Sequence, residues 1–260
     1  RPGKRTEPRA DRPRDRDQGR PGGDEWLYGR NGVNESLRAG RRRFRKVLIL
    51  QSAGGDPRLD AIERRARELG VAIEKVDRET IERSVFDVNH QGVVALATPY
   101  PYAGPDVLES REGSMLALDH LVDPQNVGTM LRAAEAFGVH TVILPRDRAA
   151  GITPAVVNSS AGAVEHLTIV QAVNLAQELE RLKKRGLWIV GIENHENAAI
   201  LGDAEIPTPC VLVVGSEGQG MGPNLAKRCD LLLKIEMHGE VNSLNAATAG
   251  SIALFEVSRS

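Results

Sequence analysis

An α/β protein with two folded units is predicted by three observations on these 260 residues. From about Trp26 onward, apolar runs of strand length alternate with amphipathic stretches of helix length, the pattern of a mainly parallel sheet with helices on both faces. Hydrophobic residues make up 41% of the chain, enough for a substantial core. The segment PYPYAGPDVLESREG (99–113), rich in Pro, Gly and charge and without a periodic apolar face, reads as a linker. It divides the chain into a small unit at 25–98 and a larger one at 114–260.

In the first unit a helix is predicted at 31–39, closed by Gly40. KVLIL (46–50) reads as a buried strand. Asp56–Gly70 is an amphipathic helix with Pro57 at its start and Gly70 at its end, the expected asymmetry of helix ends. AIEKV (72–76) is a strand, a short helix starts at about Arg78, and GVVALAT (92–98) is a strand. In the second unit the predicted strands are MLALDHL (115–121), HTVILP (140–145), HLTIV (166–170), LWIVGIE (187–193), CVLVVG (210–215) and DLLLKIEM (230–237). Helices are predicted at about 127–137, within 154–164, at 173–185, briefly after Pro223, and from Ser243 to Val257.

Residues 1–24 are almost devoid of apolar side chains and read as a disordered leader. Residues 1–46 hold 15 basic and 7 acidic residues, and the remainder 19 and 28, so the near-neutral total conceals a basic front end that would meet a polyanion first. The longest apolar runs fall far short of the roughly 20 residues that a membrane helix needs. No apolar stretch follows the N-terminal basic residues as in a signal peptide. Cys210 and Cys229 form no CxxC pair, and no Cys/His cluster has zinc spacing. A cytoplasmic protein without a metal or a membrane partner is the expectation.

In open α/β sheets, ligands bind beyond the C-terminal ends of the strands. Three loops of the second unit leave such ends: DPQNVGTMLR (123–132), GSEGQGMG (215–222) and HGEVNSLNAATAG (238–250). The glycine spacing of the second is not a dinucleotide fingerprint. It is either a connection that needs positive φ or a loop whose backbone approaches a ligand closely. In the first loop Asn126 occupies a predicted N-cap position. Arg132, on the second turn, has two open roles, a surface ion pair or a fork for phosphate. In the third, capping accounts for one of Asn242, Ser243 and Asn245 but not for all three. The small residues Ala246, Ala247, Ala249, Gly250 and Ser251 suit close helix packing, within the chain or at a symmetric dimer seam. The six histidines lack metal or triad spacing, Ser159 and Ser160 lie in no nucleophile elbow, and Cys229 reads as packing.

Taken together and in this order, NVGTMLR, GSEGQGMG and NSLNAATAG resemble the three motifs of the SpoU (TrmH-type) branch of the SPOUT RNA methyltransferases, over about 115–258. YGRNGVNESLRAG (28–40) and NHQGVVA (89–95) resemble the small ribosomal-protein-like RNA-binding domain that precedes the catalytic domain in bacterial 23S rRNA guanosine 2'-O-methyltransferases. The resemblance implies a SPOUT-type parallel sheet with a deep C-terminal trefoil knot, a feature no general rule of chain topology would suggest. It implies S-adenosyl-L-methionine as cofactor, held largely by backbone groups near Gly215, Ile235 and Leu244, with Val214, Glu217, Gly220, Met237 and Ser243 also at the pocket. It further implies a homodimer.

The implied reaction is 2'-O-methylation of a ribose in RNA, most specifically a guanosine of 23S rRNA. A tRNA or a resistance-type rRNA target is the alternative within the family, and simpler tRNA members usually lack the first domain. A non-catalytic RNA-binding protein and a nicotinamide-dependent oxidoreductase are the alternatives outside it. The second of these needs a glycine fingerprint where DPQNVG stands. The family's Arg at the position of Arg132 is given the key catalytic role. Arg is essentially always protonated, which favours phosphate binding and orientation of the 2'-hydroxyl and leaves the base open. Asn126 would hold the first loop and the ribose. Glu217, Ser243 and Asn245 would organise the loops around the reacting centre.

Overall fold

The computed structural model describes residues 23–53, 55–110, 112–216, 220–241 and 243–260. The proposed leader, Glu217 and Asn242 therefore fall wholly or mostly outside the described residues. The first unit contains β1 (Glu25–Tyr28), α1 (Arg30–Ala39), β2 (Phe44–Leu50), α2 (Pro57–Glu68), β3 (Ala72–Val76), α3 (Arg78–Ser84) and β4 (Val93–Ala97). Its sheet runs in the order β1-β4-β2-β3. β4 is antiparallel to both neighbours, and β2 and β3 are parallel. α2 follows its sequence signals closely. Asp56 caps it by accepting from the Arg58 N–H (3.0 Å), Pro57 opens it, and Leu59, Ile62 and Ala66 face the core. β1 was not predicted, since four residues offer too short an alternation to read.

After α4 (Val107–Ser110), the second unit comprises β5 (Met115–Leu118), α5 (Pro124–Ala136), β6 (Thr141–Pro145), α6 (Pro154–Ser159), β7 (Thr168–Ala172), α7 (Leu175–Lys184), β8 (Trp188–Ile192), β9 (Ala199–Ile200), β10 (Cys210–Val214), α8 (Pro223–Ala226), β11 (Leu231–Lys234) and α9 (Ala246–Val257). All pairings in its seven-stranded sheet, β7-β6-β5-β10-β8-β11-β9, are parallel. The fully buried CVLVV of β10 sits at its centre, as expected for a strand covered on both faces. The last main strand, β11, lies beyond β8, yet α9 returns across the sheet to pack on α5, β10 and β8. Gly250 permits this return, because a Cβ there would come within 2.6 Å of the Met130 thioether.

Two expectations need correction, and one further strand was not expected. The helix expected within 154–164 stops at Ser159, and Gly162 (φ 84°) redirects the chain into a 3₁₀ turn at Ala163–His166. The two-residue β9 carried no readable signal. The segment 99–113 is not a bare linker. Tyr100 is buried and its hydroxyl donates to the Leu167 carbonyl (2.7 Å), the Ala103 N–H donates to Ile169 (2.9 Å), and Leu108 in α4 is buried. Aromatic residues at alternate positions, Tyr100 and Tyr102, were the signal for this packing, and the flanking prolines obscured it.

The two units share one core. A single cluster runs from Leu27, Val33 and Ile62 to Leu116, Met130 and Val156. At the seam lies a buried ion pair, Arg42 Nε to Glu165 Oε1 at 2.8 Å, with both side chains at 0% exposure. Ser36 Oγ donates to the same carboxylate oxygen (3.1 Å), and Arg42 also pairs with Glu25 and donates to the Thr98 carbonyl (3.1 Å). Arg42 Nη2 and Glu165 Oε2 have no hydrogen-bond partner among the described residues, so the pair serves orientation of the units more than net stability. Removing one member leaves the other buried and uncompensated. Glu165→Gln is expected to cost about 3 kcal/mol, the low end for a broken buried pair because Glu25 remains beside Arg42. A urea-unfolding midpoint equal to wild type would contradict this.

Candidate functional site

The glycine-rich loop begins where β10 ends. There is no room for a side chain at Gly215, whose Cβ would run into the backbone of Gly220 and Met221. The loop folds back on itself through two backbone bonds, Ser216 N–H to Gly220 O (3.1 Å) and Gly220 N–H to Ser216 O (3.0 Å). Gly220 has φ 62° and a Cβ there would strike the Glu193 carboxylate. The reading that the loop needs positive φ holds at Gly220, and the closeness at Gly215 is to the loop's own backbone.

Asp119 fastens the loop from beneath. It is buried at the end of β5, its N–H donates to Val214 O (2.8 Å), and its Oδ2 accepts from the Gly222 N–H (3.2 Å). His120 Nδ1 lies 2.5 Å from Asp119 Oδ1. Sequence reading missed Asp119. An acid closing an otherwise apolar strand was the available signal.

Against this loop opens a cavity of about 570 Å³. Val214, Gly215 and Gly220 form one side, Ile235 and Met237 after β11 another, and Ser243 and Leu244 before α9 a third. Seven of the eight residues expected at a cofactor pocket are therefore brought together, although they span 30 positions of the chain; the eighth is Glu217. Ile192, Glu193 and Asn194 at the end of β8 complete the wall, with Lys234, Ala246 and Ala249. The β8 contribution was not foreseen, because IENHEN contains no motif.

Asn126 is not the cap of α5. Asp123 is, accepting from the Gln125 N–H (3.2 Å), and the helix starts at Pro124, three residues earlier than expected. Pro at the first helical position was the signal for this start. Asn126 in the first turn instead accepts from Asn245 Nδ2 (3.0 Å). Asn245 is itself the cap of α9, its Oδ1 accepting from the N–H groups of Ala247 (2.9 Å) and Thr248 (3.1 Å). One side chain thus satisfies a helix end and ties the third loop to the first. Asn245 also lines the cavity.

Arg132 lies outside the cavity lining, exposed on α5 with Thr129 and Ala136. Its guanidinium makes no hydrogen bond or ion pair with the described residues, so the surface ion pair left open by the sequence is not formed among them. Gly128 lets α5 meet α6, since a Cβ there would lie 2.7 Å from the Ser160 nitrogen. Ser159 is a packing residue whose hydroxyl reaches Pro124 O (2.8 Å) and Val156 O (3.2 Å). Burial above all, with the Asp230 and Glu193 charges, pushes the Cys229 thiol up to about 12, which makes it inert as a nucleophile at neutral pH. Glu217 lies outside the described residues.

The model of the SpoU rRNA methylase family matches residues 113–255, more than half of the chain. The chain belongs to this family. A second model, RNA 2'-O ribose methyltransferase substrate binding, matches residues 26–103. YacO of Bacillus subtilis (strain 168), a candidate TrmH family tRNA/rRNA methyltransferase, is 36% identical over 90% of this chain and 95% of its own. A candidate RNA methyltransferase of the TrmH family from Porphyromonas gingivalis has the same fold (TM-score 0.69, 27% identity, 91% of this chain and 90% of that one). So does the SpoU methyltransferase AviRb from Streptomyces viridochromogenes, solved with its cofactor AdoMet (TM-score 0.73, 24% identity, 91% and 90%). This SpoU methylase is thus an RNA methyltransferase with a substrate-binding domain in front.

The dual role of Asn245 can be split. Asp also caps helices well but cannot donate to Asn126. Asn245→Asp is expected to keep wild-type stability in urea, while Asn245→Ala loses about 1 kcal/mol, the usual worth of a cap. Equal unfolding midpoints for the Ala variant and wild type would contradict the capping role.

Proposed function

We propose that this SpoU methylase transfers the methyl group of S-adenosyl-L-methionine to a ribose 2'-hydroxyl of RNA, with a guanosine of 23S rRNA as the target. The observation that carries the reading is the convergence of four separate segments, at 192–194, 214–220, 234–237 and 243–249, on one cavity whose floor has no room for a side chain at Gly215 and holds Gly220 at a positive φ. That cradle suits a ligand held by backbone N–H and C=O groups. Its volume lies in the usual range for small-molecule sites, about 300–1,000 Å³. Val214, Gly215, Gly220, Ile235, Met237, Ser243 and Leu244 would hold the cofactor there, with Glu193 and Asn194 as additional polar walls.

When bound, the cofactor supplies a methyl group already activated on a sulfonium. What is left to the protein is to orient a weakly nucleophilic hydroxyl for in-line attack and to accommodate its proton. Arg132 is suited to the orientation: it is exposed and has its guanidinium free of described partners. A guanidinium in that state can fork a phosphate and fix the neighbouring ribose. Asn126, held through Asn245, positions the first loop and the ribose. Glu217, by its place in the second motif, and Ser243 organise the loops about the reacting centre.

Several finer features belong to the same reading. The return of α9 over α5 after β11 is the passage we assign to the trefoil knot. Ile252 and Phe255 on the outer face of α9 are 39% and 44% exposed, and α9 is apolar nearly all round. A helix of that kind is buried on all sides in its working state, and we assign this face to a homodimer seam. The first unit favours rRNA over the tRNA alternative, because it adds an RNA-binding surface rigidly joined to the catalytic unit. No described helix is long and apolar enough to cross a membrane, and a cytoplasmic site of action accords with an RNA substrate.

The direct test uses labelled S-adenosylmethionine with undermodified rRNA and tRNA, followed by mapping of the 2'-O-methyl group. Label in a 23S guanosine is expected, and label confined to tRNA or to a base overturns that assignment. Two variants separate the parts of the site. Arg132→Ala is expected to lower kcat about 100- to 1,000-fold, as for loss of a donor that acts at the transition state, with cofactor affinity intact by calorimetry. Gly220→Val is expected to lower cofactor affinity at least about tenfold, because its Cβ meets Glu193 at a positive φ. Unchanged values in either assay contradict the corresponding role.

A further inference from the structure

A second cavity, of about 680 Å³, opens in the first unit between the 85–92 loop and the starts of α1 and α3. The loop is tightly fixed. Asp87 and Gln91 adopt φ of 51° and 53°, conformations that non-glycine residues hold only where their surroundings impose them. Arg30 supplies that constraint at Gln91. Its backbone N–H donates to Gln91 Oε1 (3.2 Å), its Nε donates to Gln91 O (2.9 Å), and its guanidinium pairs with Asp56 at 2.7 Å.

The groups presented by this fixed loop are specific. Phe86 stands at the cavity with 92% of its surface exposed. His90 is only 6% exposed, and its Nδ1 accepts from the Gly92 N–H (3.1 Å). The ring proton is therefore on Nε2, and Nε2 has no hydrogen-bond partner among the described residues. Burial, reinforced by the Arg78 charge and opposed by Glu82, holds His90 below the usual imidazole value, so at neutral pH it is a neutral donor. With the Gln91 carbonyl engaged by Arg30, its amide NH₂ is the part left to donate. Among the described residues Arg78 pairs only with Glu82, at 3.4 Å and well exposed, a contact of little strength.

Glu82 and Asp87 also line the cavity and offset Arg30 and Arg78. A charge-balanced cavity is a poor site for a run of phosphates. An aromatic ring and two neutral donors lining one cavity suit a flat group with acceptors along its edge, as an unpaired nucleobase has. The cavity is also joined to the methyltransferase site by packed backbone. Gly29, next to Arg30, abuts the Asn158 side chain, and the adjoining Ser159 hydroxyl reaches Pro124 O in the first turn of α5, which carries Asn126.

We propose that this cavity binds one unpaired base of the RNA substrate, stacked on Phe86 and held along its edge by His90 Nε2–H and the Gln91 amide. The substrate class rests on the RNA methyltransferase reading above. The site would read a nucleotide other than the one methylated, and so would set which RNA is accepted.

The test measures binding of the full chain to two fluorescein-labelled decamers, oligouridylate and an abasic ribose-phosphate of equal charge, at several salt concentrations. Wild type is expected to prefer oligouridylate about tenfold, within the range of roughly 1–3 kcal/mol for one base on an aromatic ring. Phe86→Ala should erase the preference without changing abasic affinity or the salt slope, since no phosphate contact is lost. Phe86→Trp should restore it. Phe86 is exposed, so its variants should melt like wild type. Equal wild-type affinity for the two decamers, no binding, or a preference that survives Phe86→Ala overturns the proposal. Methyl transfer by the wild type is read separately. Phe86-dependent binding without transfer to any RNA would remove the methyltransferase reading and leave this site standing.

Discussion

The structure of the candidate site depends on one steric constraint, the approach of the Gly220 backbone to the Cα of Gly215. β10 is the central, fully buried strand of a seven-stranded parallel sheet, and its chain must leave at the C-terminal edge. A side chain at Gly215 would push the returning loop away from that edge. Without it, the loop closes into a small backbone ring. Asp119 then clamps the ring from β5, Glu193 faces it from β8, and the segment before α9 covers it. The cavity is what remains between these pieces, and its walls are mostly backbone and small side chains. Recognition by backbone needs such closeness, because N–H and C=O groups reach only hydrogen-bond distance.

Two polar ties keep this arrangement in register with the rest of the chain. The hydrogen bond from the Asn245 side-chain amide to Asn126 Oδ1 joins the first turn of α5 to the cap of α9, and so couples the helix bearing Arg132 to the wall of the cavity. The buried Arg42–Glu165 pair joins the first unit to the 3₁₀ turn after α6. With Ser36, Glu25 and the continuous apolar core, it makes the RNA-facing unit a rigid extension of the catalytic one. A substrate held by both units would then be positioned by the fold and not by a hinge, and precise placement is where such an enzyme gains rate.

The sequence conveyed more of the site than of the fold's edges. β10, β3 and α2 were legible because long apolar runs, alternation and Asp-Pro caps are local signals. The three loops were legible through their order along the chain, and seven of the eight residues expected at the pocket line one cavity. β1 and β9 were too short to carry a period. Asp119 and Glu193 were missed because their partners are a backbone N–H and a glycine Cα more than 25 residues away, a relation that no local pattern encodes. The cap of α5 was placed three residues late, at Asn126 and not Asp123, because Pro124 was not taken as the first helical residue, and the partner of Asn126, Asn245, is 119 positions distant. The segment 99–113 misled because proline and charge outweighed two tyrosines that pack on the second unit.

The central claim is that the cofactor occupies the cavity between the 192–194, 215–222 and 235–246 segments. Amide hydrogen exchange with and without S-adenosylmethionine addresses it in the intact chain. Protection is slow where backbone groups are buried or bonded, and ligand binding extends it to the groups engaged. The account predicts slowed exchange in those three segments, with residues 30–97 unchanged. Protection confined to the first unit, or none at saturating cofactor, would contradict it.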